Sequence, residues 1–126
     1  MPFFPRSEAM IRTALFSPCG RFRYRLGRRW GASPTVAFVL LNPSTADDER
    51  DDPTVRRCVD FARRLGFGGL EVVNLYAYVA TDPDDLRRAG HPVGPENDQH
   101  IATCVTDSRG ACTRGAWRVL VRCYGC

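Results

Sequence analysis

Residues 36–52 read VAFVLLNPSTADDERDD. The run Val36 to Leu41 is apolar throughout, as expected of a central strand covered on both faces. It leads straight into Asn42-Pro43-Ser44-Thr45 and a crowded acidic loop. Asp52-Pro53 has the form of a helix start, with Asp as N-cap and Pro at the first helical position. Val55, Cys58, Val59, Ala62 and Leu65 then fall on one helical face, with Arg56, Arg57, Arg63 and Arg64 largely off it. Gly66 can close the helix, and Leu70 to Leu75 supplies the next strand. Strand, helix, strand in this order implies a right-handed βαβ unit with parallel strands. The expected fold is therefore α/β: a three-layer α/β/α sandwich around a short, mostly parallel sheet.

Upstream, Arg21-Phe22-Arg23-Tyr24-Arg25-Leu26 alternates strictly. On a strand this places Phe22, Tyr24 and Leu26 toward the core and the arginines together on the other face. That second face is either a solvated edge or a strip that meets phosphates. Downstream, Thr81-Asp82-Pro83 starts a short helix that ends near Gly90. His91 to Pro95 is a rigid connector, and Glu96 to about Asp107 reads as a third helix. His100 is expected to be exposed on that helix. The last stretch, GACTRGAWRVLVRCYGC, has Trp117, Val119 and Val121 in strand alternation but supplies no polar loop after them.

At 126 residues the chain is one domain, large enough to bury a real core. It has no apolar run near the roughly 20 residues needed to span a membrane. MPFFPRSEAM lacks the pattern of a signal peptide, so the expected location is the cytoplasm, with no membrane partner. The formal net charge is +4, and the 18 basic residues are all arginine. A GC-rich coding sequence accounts for that bias, and so does selection for bidentate phosphate contacts. Of the six cysteines only Cys123 and Cys126 are spaced as C-x-x-C. One such pair falls short of the usual four zinc ligands, so neither a metal nor a cofactor is expected.

Polar groups at the carboxyl ends of strands in open α/β sheets are where ligands bind. Asn42 suits holding a water or reading a polar ligand edge, and equally suits an Asx-type turn. Pro43 fixes its direction. Ser44 can cap or can bind a phosphate. Among the acids Asp47 to Asp52, one carboxylate can serve as a general base, and Asp47 is the candidate taken. Asn74 ends the second strand and precedes Tyr76 and Tyr78, equipment for stacking a flat heterocycle and reading its edge. Core packing is the alternative. Arg23 and Arg25 are the candidate phosphate contacts.

The runs LNPSTAD, DPT-x-RRC, G-x-GGL-x-VVNLYAY and PVGPEND together resemble the bacterial and phage family called domain of unknown function 1643, over about residues 20 to 108. A weaker resemblance, to mismatch-specific uracil-DNA glycosylases, rests on Leu41-Asn42-Pro43 and on Val73-Asn74-Leu75 with Thr81-Asp82-Pro83 beyond. It implies that Asn42 holds the attacking water, that Asn74 and Tyr76 lie by a flipped base, and that the partner is DNA or a nucleotide. Family 1643 chains continue through a strand ending Ala-Trp-Gly to a late His-Pro-Leu-Tyr, which this chain lacks. The resemblance thus implies a single α/β domain over 1–109, incomplete at its C-terminus, and an atypical, frameshifted or truncated tail over 110–126. Three functional readings follow. They are a nucleobase-recognising hydrolase of DNA N-glycosidase type, a binding module without catalysis, and a non-functional fragment.

Overall fold

The computed structural model describes residues 10–110 and 119–121, with side chains described for 10–104. Eight elements follow in chain order: β1 Ile11–Phe16, β2 Arg23–Arg29, β3 Thr35–Leu40, α1 Pro53–Arg64, β4 Gly69–Asn74, α2 Pro83–Arg88, α3 Asn97–Gly110 and β5 Val119–Val121. The strands form one sheet in the order β1-β2-β4-β3-β5. Strands β3 and β4 pair in parallel around α1, as the periodicity requires, with Val36 opposite Leu70 and Leu40 opposite Asn74. Strand β5 is also parallel to β3.

The sheet is mixed, however, and the expectation of a mostly parallel one is corrected. Strands β1 and β2 form an antiparallel hairpin, and β2 pairs antiparallel with β4. The reason lies in β1, Ile11-Arg12-Thr13-Ala14-Leu15-Phe16. It is mostly exposed and carries no buried apolar alternation, so sequence pattern does not announce it. As an edge strand it needs little burial.

Helices lie on both faces. On one, Val55, Cys58, Val59 and Ala62 of α1 pack with Leu26, Val36, Phe38, Leu40, Leu70 and Val72. On the other, Cys104 and Ile101 of α3 meet Ala37, Val39 and Val73. Helix α1 is bounded as its residues dictate. The Asp52 carboxylate accepts from the Val55 amide at 2.8 Å, and Pro53 follows it. At the other end Gly66 takes φ +82°, with Gly66 N–H donating to Arg63 C=O and Phe67 N–H to Ala62 C=O. This paired closure requires the left-handed residue. Leu65, expected on the buried face, is the C-cap residue and is exposed.

Helix α2 repeats the device with Asp82, whose carboxylate accepts from the Asp84 amide at 2.9 Å, but buries no residue. Asp82→Ala is therefore expected to cost only about 0.5–1 kcal/mol, the value of an exposed cap, in a urea unfolding curve. Among the described residues no helix is long and apolar enough to cross a membrane.

The alternation along β2 is broken. The register with β1 shifts between Leu15 and Phe16, so that Leu15 faces Arg25 and Phe16 faces Arg23, with Tyr24 as the extra residue. Such a bulge turns the side chains on either side of it out of strict alternation. Arg23 joins Leu26 and Arg28 on the α1 face, where it is buried, and Tyr24 turns to α3. There it stacks on His100, with ring centroids 4.9 Å apart, so His100 is half-buried rather than exposed.

Candidate functional site

The carboxyl ends of β3 and β4 deliver Asn42 and Asn74. Beneath them the two buried arginines of β2 grip the acidic loop. Arg28 donates from Nε to Asp51 at 2.8 Å, and from its other nitrogens to the carbonyls of Asp47 and Arg50 and to its neighbour Gly27. Arg23 donates to Ala46 C=O at 3.0 Å and to Asn74 Oδ1 at 3.4 Å. The loop is therefore a fixed structure hung on two guanidinium groups, not a loosely solvated run of acids. Among the described residues no three metal-ligating side chains converge.

Asp52 has two tasks. One carboxylate oxygen caps α1, and the other accepts from the Ala46 amide at 3.3 Å. Its charge also faces Arg23. Burial pulls the Arg23 pKa down to about 10, an effect that the nearby Asp52 opposes, so the guanidinium stays charged at neutral pH. Among the described residues, Arg23 Nε and Asn74 Nδ2 are buried donors without a hydrogen-bond partner, a costly condition in a protein interior.

A small cavity of about 50 Å³ opens beside this pair. It is lined by Arg23, Leu40, Leu41, Asn42, Ser44, Asp52, Thr54 and Val55. The structure thus brings Asn42 and Ser44 together with Arg23. Asn42 spends its amide nitrogen on the carbonyls of Ala80, at 2.8 Å, and Pro43, at 3.1 Å, so it ties the loop to the segment after β4. Pro43 itself is fully buried. Asn74 lies behind the cavity against Arg23, and Tyr76 is exposed at the same end of the sheet, its backbone N–H on Leu41 C=O at 2.9 Å.

The remaining expected residues stand apart. Asp47 directs its carboxylate onto the amides of Glu49 and Arg50, at 2.8 and 2.7 Å. Those two bonds hold its pKa below the ordinary carboxylate value, which makes it a weaker base. Arg25 is on the opposite face from Arg23, 3.6 Å from Glu71. The arginines of β2 therefore form no common strip.

Sequence reasoning passed over Arg28, Thr54 and Asn97, and took Asp52 as a helix cap and one of several candidate acids, without its partnership with Arg23. Asn97 is fully buried at the start of α3 and donates to the carbonyls of Asn74, at 2.8 Å, and Leu75, at 3.2 Å. It lies inside the PVGPEND run, where the sequence signal was present at the level of the motif but not of the residue.

The family model described as Protein of unknown function (DUF1643) matches residues 23–123. The chain belongs to the DUF1643 family. The match begins at Arg23 and extends past the expected limit of residue 108, taking in β5. Most of the 110–126 tail lies outside the described residues. No curated protein and no solved structure matches the chain, so the resemblance to uracil-DNA glycosylases gains no support from these comparisons.

Proposed function

We propose that this DUF1643 domain is a binding module that takes the polar edge of a nucleobase at the carboxyl end of β3, without catalysis. The observation that carries the reading is Arg23, 2% exposed, which lines the cavity while its Nε has no partner among the described residues. A water occupies about 30 Å³ of liquid, and pockets that enclose whole ligands start near 300 Å³. A cavity of about 50 Å³ therefore admits an edge and not a ring. The charges of Arg23 and Asp52 offset one another there. A neutral group with both donors and acceptors suits this wall better than a free phosphate. Tyr76, exposed at the same end of the sheet, offers a face for the ring.

The hydrolase reading asks Asn42 to hold a water and Asp47 to take a proton. Asn42 has its amide nitrogen bound to two carbonyls, and Asp47 has its carboxylate bound to two amides and a lowered pKa. Both facts favour binding over hydrolysis.

Calorimetric titration with the common nucleosides tests the proposal. One of them is expected to bind saturably, and Thr54→Val, which removes a hydroxyl from the cavity wall, is expected to weaken it about fivefold, the value of one hydrogen bond near 1 kcal/mol. Saturable binding of none, or affinity indifferent to Thr54→Val and Ser44→Ala alike, would sink the edge-reading site. Release of free base from an oligonucleotide by the unmodified protein would replace the binding module with the hydrolase.

A further inference from the structure

We propose that the outward face of α1 is a track for the phosphate backbone of a single-stranded nucleic acid. The 12-residue helix presents Arg56, Arg57, Arg63 and Arg64, all exposed, with Asp60 as the one acid of that face. The two arginine pairs are seven residues apart, so they lie on the same side of the helix, separated by about 10.5 Å along its axis.

Among the described residues none of these four arginines forms an ion pair. Arg56 donates at 3.5 Å to the backbone carbonyl of Asp51, and Arg63 lies 5.0 Å over the Trp30 ring. The arginines of α2 differ, since Arg87 and Arg88 face Asp84 and Asp85 at 3.7 and 3.8 Å.

Helix electrostatics explain only half of the pattern. Arg63 and Arg64 lie in the last turn of α1, where the helix dipole favours cations. Arg56 closes the first turn and Arg57 opens the second, near the end where the dipole disfavours them, and the first turn holds no acid. The Asp52 carboxylate at the N-cap answers the helix dipole there but also faces Arg23, and a phosphate chain over this face would pair the arginines that it leaves without a counter-ion. The cavity lies at the start of the same helix, lined by Asp52, Thr54 and Val55. On the reading of that cavity as an edge-reading site, the base enters there and the strand runs along α1. An unpaired strand fits because its bases are free to turn out.

The test is fluorescence anisotropy of a labelled oligothymidylate with the full chain over a salt series. Four contacts to a single strand predict a slope of log K on log salt of about −2.8. The double variant Arg57→Gln/Arg64→Gln, whose side chains make no hydrogen bond or ion pair among the described residues, is expected to bring the slope to about −1.4. The variant Arg87→Gln/Arg88→Gln makes the same change in net charge and is expected to leave the slope in place. Equal losses from the two variants, a flat salt dependence, or tighter binding of the matching duplex would each overturn the track. The cavity is tested separately. Thr54→Val is expected to leave the salt slope unchanged, so failed nucleoside binding beside an intact, Arg57/Arg64-dependent slope would remove the edge-reading site and keep the track.

Discussion

Arg28→Met is expected to lower the free energy of unfolding by about 3–5 kcal/mol, the cost of removing one partner of a buried ion pair. Arg28 is 1% exposed and serves one carboxylate and several carbonyls at once. Methionine fills similar space but donates nothing. The Asp47 and Arg50 carbonyls and the Asp51 carboxylate would then have to find water or move. Because they belong to one loop, they are expected to move together and widen the cavity beneath Asn42. Urea unfolding gives the stability. A loss below about 1 kcal/mol, the range of an exposed pair, would show that the loop keeps its shape without the clamp.

Asp52→Ala is the second large effect, near 3 kcal/mol. About 1 kcal/mol comes from the lost cap of α1 and about 2 kcal/mol from the buried Ala46 amide left without its acceptor beside an unopposed Arg23. The same substitution at Asp82 uses the same motif on an exposed helix and costs a fraction of this. The pair therefore separates capping from burial. If both variants lose the same amount in urea unfolding, Asp52 is only a cap and its partnership with Arg23 contributes nothing.

Local rules were legible in the chain. Asp52-Pro53 and Asp82-Pro83 start helices where residue chemistry places them, and Gly66 ends α1 by its positive φ. The β3-α1-β4 unit follows from apolar periodicity alone. Two things did not follow. Strand β1 is an exposed edge with no apolar code. The bulge at Tyr24 depends on register with that unrecognised strand, and it alone decides that Arg23 goes inward while Arg25 faces Glu71. The site was half legible for the same reason. Asn42 and Ser44 stand at a strand end that can be read from the sequence. Arg23 and Arg28 reach the loop from a strand that is distant in sequence, and no spacing rule connects them.

The strand order also has a consequence for the growing chain. The β1-β2 hairpin and β3 are not neighbours, since β4 lies between them. Until the ribosome has released the segment through Asn74, the hairpin that carries both buried arginines has no sheet partner on the βαβ side. The loop that those arginines hold is synthesised well before its support can dock. The cavity is thus a late product of synthesis, formed in the step that seats β4, and a nascent chain halted before that point would hold every residue of its wall without the wall itself.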